Sequence, residues 1–597
     1  MMPDPGSPAV ATDATAAAPI GRVSSDGWSE HPDGASPAGG SPIDRRRFMA
    51  YFSSIGLGGT LLPGVLWAQI QGAQEVTKEM IAQAAAVAGL EFTEEQREQM
   101  VRGLTQYQRS YEALRSVPLP NSVMPALHFD PVVPGTPLPA ERRPFRKSRP
   151  EPVRRPDRLE DVAFWPVTRL SELIRTRQVR SVELTEMYLD RLKRYGPTLQ
   201  CVVTLTEERA LEQARRADRE IAEGRYRGPL HGIPWGVKDL LAVRGYPTTW
   251  GAAPYRDQVI DLDATVVRKL DQAGAVLVAK LTVGALAMGD QWFGGQTKNP
   301  WNLEQGSSGS SAGSAAATVA GLVGFSIGTE TLGSIVSPST RCGATGLRPT
   351  YGRVSRHGAM ALSWSMDKIG PICRSVEDCA LVFDAIRGPD GFDPTVRDLP
   401  FNWDGDRSPS GLRIGYLKSG FEAERENKEL DDAVLATLCG LGADLVPFEL
   451  PEGLPYGAMR IILQAEAAAA FDELTRSGRV DEIERSSWPN TFRQARLIPA
   501  VEYIQANRVR TLAMAAMHEA MREIDVFVTP SYADNVLLLT NLTGHPTVVV
   551  PNGFTEAGTP VSISFVGKLW GEAEALAVAK AYQDATGFHT RIPPGFA

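Results

Sequence analysis

Two serine- and glycine-rich loops and one lysine carry the side chains of this sequence best equipped for nucleophilic chemistry. Gly306–Ala317 reads GSSGSSAGSAAA, and a second loop, Gly328–Ser334, reads GTETLGS. The first has the composition of a flexible linker, but it leads into the strongly apolar run Ala315–Ile327, where flexibility has no use. Its glycines are instead expected to let backbone approach a ligand closely. A phosphate-cradling loop needs a Lys-Ser/Thr pair after its glycines, and none follows. Gly309–Gly313 spells G-x-S-x-G, a strand-to-helix turn that presents a nucleophilic serine, but such a turn requires an apolar strand before it. The residues before it, Asn299–Gln305, are polar and turn-like. Gly232–Asp239, GIPWGVKD, reads as a strand that ends in Lys238. A lone lysine at a strand end is ordinarily a solvated surface group.

Taken together, these pieces resemble the amidase signature family. The likeness is carried by GIPWGVKD at 232–239, NPWN at 299–302, SGSSAGSAAA at 308–317 and GTETLGSI at 328–335. CGATGLRPTYGRVSRHG at 342–358 and NLTGHPTVVVPNGF at 541–554 extend it, in order, over roughly residues 160–590. The resemblance implies an α/β fold with a large mixed sheet covered by helices on both faces. It also implies a catalytic lysine at Lys238, a bridging serine at Ser311 and a nucleophile at Ser334. Backbone N–H groups of Thr331, Leu332, Gly333 and Ser334 would form the oxyanion hole. The chemistry of such a set is intelligible by itself. A serine hydroxyl attacks a carbonyl only when a base takes its proton. Lysine can serve as that base only when neutral, which burial promotes by disfavouring the charged form. A second hydroxyl can relay the proton, because it donates and accepts together. Fixed donors aimed at developing charge are worth about 10²–10³ in rate apiece.

The likeness has departures. Glu330 stands where the family usually has Asp, Leu332 where it has Gly, and Val336 where it has Arg. Without that Arg, Glu330 needs another cation, and Arg341 is the expected substitute. Met288, Trp292 and Phe293, just before NPWN, suggest an apolar or aromatic acyl pocket, although core packing explains them equally well. His231 and His545 are expected to be turn or packing residues, and Cys342 a small apolar core residue.

The elements that must position these groups alternate short apolar strands with helices from about residue 160 to the end. Helices are expected at Leu170–Arg194, Glu207–Gly224 and Val266–Ala273. Strands are expected at Ile233–Val237, Ala275–Ala279, Leu412–Tyr416 and Asp525–Thr529. Such alternation predicts an α/β domain around one mixed sheet, here 159–597. Upstream, Thr77–Ala88 and Thr93–Ser116 read as two helices split at Gly89. Thr93-Glu94-Glu95-Gln96 fits a capping box. Met100, Leu104, Tyr107, Tyr111 and Leu114 then recur at helical spacing, so this helix must pack on something. The 75–130 segment resembles the small C subunit of glutamyl-tRNA amidotransferase. Residues 131–158, of which 141–158 carry eight Arg/Lys against three acids, read as an extended tether whose charges are solvated.

Residues 1–44 carry scarcely any large apolar side chains and are expected to be disordered. Arg45-Arg46-Arg47-Phe48-Met49 and the moderately apolar stretch to Ala68 have the layout of a twin-arginine export signal, cleaved near Ala68. The mature chain would then be periplasmic or extracellular, with no stable membrane association. Composition narrows the classes further. With 62 Lys+Arg against 70 Asp+Glu the net charge is −8, no footprint for nucleic acid. Five cysteines without CxxC and seven histidines without HExxH supply neither a disulfide framework nor a metal site. No cofactor is expected, and the expected partner is a small-molecule amide; a homodimer is a possible assembly, but the sequence does not fix the oligomeric state. The function expected is cleavage of a carboxylic amide through an acyl-enzyme. Two alternatives remain: the A subunit of a glutamine-dependent glutamyl-tRNA amidotransferase, and a catalytically dead amidase fold that only binds.

Overall fold

The computed structural model describes residues 76–117, 129–149 and 152–597. The segments read as a disordered leader (1–44) and export signal (45–68) lie outside the described residues, as does the start of the helical segment at Glu75 and its exit at 118–128.

Strands in chain order are β1 (Val202–Leu205), β2 (Pro234–Lys238), β3 (Val276–Leu281), β4 (Gln291–Trp292), β5 (Gly295–Gln296), β6 (Lys298–Asn299) and β7 (Asn302–Gly306). They continue as β8 (Phe325–Glu330), β9 (Thr345–Arg348), β10 (Lys368–Cys373), β11 (Ile414–Leu417), β12 (Leu445–Phe448), β13 (Val526–Pro530), β14 (Thr547–Phe554) and β15 (Pro560–Gly567). Among the described residues, eleven of these form one sheet in the order β1-β3-β2-β8-β10-β9-β14-β15-β13-β11-β12. Pairing is mixed: β2 runs parallel to β3 and β8, whereas β10 is antiparallel to β8 and β9.

Both faces of the sheet are buried, and side-chain alternation shows it. On β3, Val276 and Val278 join a cluster with Leu189 and Leu192 of the helix Ser181–Leu199 and Ala315 of the helix Ala312–Val319. Leu277 between them enters the opposite cluster, with Val376 and Leu576 of the helices Val376–Ile386 and Glu572–Thr586. Successive side chains of a strand point to opposite faces, so a strand covered on both sides reads as an unbroken apolar run.

The expected Leu170–Arg194 helix is two helices, Val167–Arg175 and Ser181–Leu199. The break has a local cause. Arg177 takes a left-handed φ of 58°, and the Asp218 carboxylate accepts from the N–H groups of Ser181 (2.6 Å) and Val182 (3.1 Å). Those N–H groups are the orphan donors of a helix start, so the new helix begins there.

Upstream, the helices Lys78–Val87 and Glu94–Arg115 form as read, and Thr93 and Gln96 close the capping box. The apolar face of the second helix meets the helices Trp488–Ala495 and Ala500–Ala520. Met100, Leu104 and Tyr107 cluster with Leu497 and Ile498 there. Residues 129–149 then run along the domain in extended form. Arg142, Arg146 and Lys147 pair with Asp398, Asp404 and Glu172, and the Ser148 N–H donates to Glu377 at 2.7 Å. Charges read as solvated are therefore in part ion-paired, though such half-exposed pairs contribute little stability. No helix among the described residues is long and apolar enough to cross a membrane.

Candidate active site

Parallel pairing of β2 with β8 brings their C-terminal ends together, with Val237 opposite Ile327. Ligand sites of open α/β sheets form at such ends. Lys238 closes β2, Gly328 and Thr329 lie near the end of β8, and Ser311 starts the helix Ala312–Val319. That helix is fastened to β8: Ser314 Oγ donates to the Ile327 carbonyl at 3.0 Å, and Ser326 Oγ to the Ser314 carbonyl at 2.9 Å. A Cβ on Gly328 would sit 2.8 Å from Ser311 Oγ. Glycine there admits the neighbouring serine.

Lys238 is completely buried. Its Nζ lies 2.8 Å from Ser310 Oγ, 3.0 Å from Ser311 Oγ, 2.9 Å from Thr329 Oγ1 and 3.2 Å from the Thr329 carbonyl. Burial pushes its pKa well below the usual lysine range, against the opposing pull of Asp367 and Glu330. A neutral amine keeps a lone pair and can take a proton from a hydroxyl.

Ser310 is the member that sequence reading missed. The run is a serine doublet, so the motif leaves a one-residue ambiguity. The two hydroxyls are not equivalent. Ser311 Oγ accepts from the Thr329 N–H at 3.2 Å and donates to the Thr329 carbonyl at 3.1 Å. A hydroxyl has one donor and two acceptor sites, so with Lys238 also in contact Ser311 is saturated. Ser310 Oγ contacts Lys238 and keeps capacity for a further partner. The peptide bond Gly309–Ser310 is cis.

Ser334 lies in the loop after β8, 8% exposed, and its carbonyl accepts from the Ser311 N–H at 3.2 Å. The N–H groups of Thr331, Leu332, Gly333 and Ser334 donate to no protein acceptor among the described residues. Gly333 adopts φ 91°, a turn only glycine makes readily. Thr331 Oγ1 donates to Asp367 at 2.6 Å, and Asp367 also accepts from the Leu362 and Ser363 N–H groups.

Glu330 holds this loop from below. Its carboxylate accepts from the N–H groups of Ile335 (2.8 Å) and Val336 (2.9 Å), from Arg348 (2.7 Å) and from Asn541 (2.8 Å). Burial alone would raise its pKa, but the Arg348 charge and these hydrogen bonds hold it down at about 2. The cation expected from Arg341 is therefore supplied by Arg348. Arg341 is exposed and reaches only Gln305, at 3.3 Å. Arg348, at the end of β9, is carried inward by sheet pairing with β14, which sequence separation conceals. Breaking a buried ion pair from one side costs about 3–5 kcal/mol. Arg348→Ala is therefore expected to lower the chemical-denaturation midpoint by that equivalent, and Arg341→Ala to shift stability by less than about 0.5 kcal/mol. Equal effects would contradict this assignment.

A cavity of about 250 Å³ adjoins the loop, with Thr329, Thr331, Leu240, Met360, Leu362 and Trp364 in its wall. None of Met288, Trp292 and Phe293 lines it. Trp292 and Phe293 face a different cavity with Gly251 and Arg256, whose guanidinium lies 4.8 Å from the Phe293 ring centroid. Met288 packs against the core and its Sδ accepts from Ser487 Oγ at 3.0 Å. Met288, Trp292 and Phe293 thus pack elsewhere, and the cavity wall comes from Leu240 and Ala287 upstream of NPWN and from residues between Thr329 and Pro394 downstream of it. His231 is buried and accepts from the Arg227 N–H at 3.1 Å, while His545 sits 2.8 Å from Thr543 Oγ1. Cys342 is buried among apolar side chains. No group of three or more His, Cys, Asp or Glu among the described residues could hold a metal ion.

A strand-end lysine, a serine-rich helix start and a loop of unpaired N–H groups on a mixed sheet define the class. The chain belongs to the amidase signature family: it matches the Amidase family over residues 183–576, and amide hydrolysis is that class's chemistry. Among curated relatives it is 36% identical to the A subunit of the glutamyl-tRNA(Gln) amidotransferase of Roseiflexus sp. (strain RS-1), covering 71% of this chain and 96% of that one. Among solved structures it resembles the native peptide amidase of Stenotrophomonas maltophilia, with a TM-score of 0.65, 31% identity, and 73% of this chain and 99% of that chain covered. A similar likeness, with a TM-score of 0.66, 28% identity, and 70% and 98% covered, links it to a vestigial complex described as revealing the origins of an s-triazine catabolic enzyme.

Proposed function

We propose that the protein hydrolyses a small carboxylic amide through an acyl-enzyme, with Ser334 as nucleophile and neutral Lys238 as the base. The supporting observation is the buried Lys238 amine, within 3.0 Å of two serine hydroxyls. Ser334 Oγ attacks the carbonyl carbon while its proton passes to Ser310, whose own proton passes to Lys238. The carbonyl oxygen gains the electron pair and is met by the N–H groups of 331–334. Collapse breaks the C–N bond, and the proton returns from Lys238 through Ser310 to the leaving amine. Water then attacks the ester in the same manner, releasing the acid and restoring Ser334. No cofactor enters these steps.

In this scheme Ser310 takes the relay role expected of Ser311, and Ser311 positions Lys238 against β8. Ser310→Ala is expected to lower kcat by about 10²–10⁴, the range for a lost proton-transfer group. Ser311→Ala is expected to cost about tenfold, the equivalent of one net hydrogen bond. Steady-state kinetics on a panel of aryl, fatty and aliphatic amides reads both. A larger loss in Ser311→Ala would return the relay to that residue.

The second reading, an amidotransferase A subunit, is favoured by the curated relative and by the helical segment that packs against the domain. Export argues against it, because an exported protein is separated from charged tRNA. We propose export from the Arg45–Ala68 signal. Fractionation of a bacterial host expressing the full chain, with Arg45 and Arg46 changed to Lys as control, tests it; equal cytoplasmic retention of both overturns it.

A further inference from the structure

The cavity that adjoins the Ser334 loop abuts a larger one. Arg356, Trp364 and Pro394 line both the cavity of about 250 Å³ beside Thr329 and Thr331 and a second of about 550 Å³. The wall of the second includes four aromatic side chains, Phe129, Tyr351 and Tyr503 joining Trp364, beside aliphatic and engaged polar groups. Trp364 stands half-exposed at the junction, 51% accessible. Its backbone is fixed by its neighbours: its carbonyl accepts from Arg356 (2.5 Å) and Tyr351 (2.8 Å). The following Ser365 is bonded to Glu466, which also accepts from Tyr503. Polar groups in the outer wall are thus largely engaged with one another, which leaves its aromatic and aliphatic side chains to meet a ligand.

One of these walls does not come from the family domain. Phe129 belongs to the arm that precedes the matched residues 183–576. It is nonetheless firmly held. Its ring meets Tyr351 edge-on at 4.7 Å, and the Arg510 guanidinium lies 3.6 Å from its centroid. The next residues are anchored as well: Asp130 pairs with Arg397, and Pro131 abuts Gly544, where an added Cβ would lie 3.0 Å away. Phe129 is therefore built into the wall of the outer cavity.

We propose that the substrate is an amide whose acyl side carries an extended aromatic group, reaching through the first cavity into the second, and that Phe129 of the N-terminal arm determines specificity in the outer one. This rests on the hydrolase reading above. Burying an aromatic group against such a wall is worth at least tenfold in transition-state binding, since each buried methylene alone is worth about fourfold.

The test uses the full chain and three p-nitroanilides, acetyl, phenylacetyl and biphenylylacetyl, followed by release of p-nitroaniline. The expected kcat/KM of the wild type rises with acyl size, by about tenfold or more from acetyl to biphenylylacetyl. In Phe129→Ala the ratio of the largest to the smallest substrate is expected to fall about tenfold, mainly through KM. Tyr503→Ala, in the wall of the same cavity and outside the arm, should lower the same ratio, which guards against simple loss of the arm. Thermal unfolding of each variant reads its folding directly. A wild type indifferent to acyl size, or variants that leave the ratio unchanged, would overturn the inference while the hydrolase reading stands. No turnover of any of the three by wild type, with no modification of Ser334 by phenylmethylsulfonyl fluoride, would overturn the hydrolase reading and this inference with it.

Discussion

Ser334→Ala is expected to reduce amide turnover by about 10⁴–10⁶, the scale on which a lone nucleophile is lost from a serine hydrolase. The effect should lie in kcat, because the wall of the adjoining cavity comes from Leu240, Met360 and Leu362 and is untouched by the change. Stability should be almost unchanged: alanine removes one hydroxyl from a residue whose structural tie to Ser311 is made by its carbonyl. The measurement is kcat on the best amide of a panel, alongside thermal unfolding. The same variant separates the candidate functions. A dead scaffold would show no turnover even as wild type, and Ser334 would not be labelled by a sulfonyl fluoride. An amidotransferase component would transfer the amide nitrogen of glutamine to misacylated tRNA, an activity not expected here. Turnover by Ser334→Ala comparable to wild type would remove Ser334 from the mechanism.

The second large effect concerns Lys238 and pH. Wild-type kcat/KM is expected to be complete while Lys238 is neutral and to decline as pH falls through its pKa. The sign follows from the chemistry: the protonated ammonium has no lone pair to accept the serine proton. An unperturbed lysine titrates near 10.4, but burial of Lys238 lowers its value well below that, so the acid limb should lie far to the acid side. Lys238→Met keeps the length of the buried stem and removes the base. It is expected to lower kcat/KM by about 10²–10⁴ and to abolish the limb. A pH–rate profile of both proteins checks the sign and the assignment together. A limb that persists in Lys238→Met would belong to another group. Lys368 is the rival to exclude, since it too is buried and shifted well down, mainly by desolvation. Its Nζ, however, bonds the Met366 carbonyl, and no contact joins it to either serine of the doublet.

Local pattern was enough for much of the architecture. Unbroken apolar runs such as Ala275–Ala279 mark strands buried on both faces, and β3 is one. Thr93 and Gln96 start their helix as the capping box requires. Local pattern failed where a distant group intervened. The break after Arg175 depends on Asp218, which lies 37 positions from the N–H it holds at Ser181.

The sequence by itself determined the family, the order of its motifs, the strand-end lysine and the loop carrying Ser334, because each lies in a continuous stretch whose residue types constrain its own backbone. Only the tertiary structure decided which of two adjacent serines keeps a free hydroxyl, which arginine neutralises Glu330, and which aromatic side chains meet in the wall of the outer cavity. The physical reason is the same in all three cases. Ser311 is saturated by Thr329 across the site, Arg348 reaches Glu330 through the pairing of β9 in the sheet, and Phe129 meets Tyr351 from a separate arm. Hydrogen-bond saturation, charge pairing and cavity shape are properties of neighbours in space, and chain spacing does not record them.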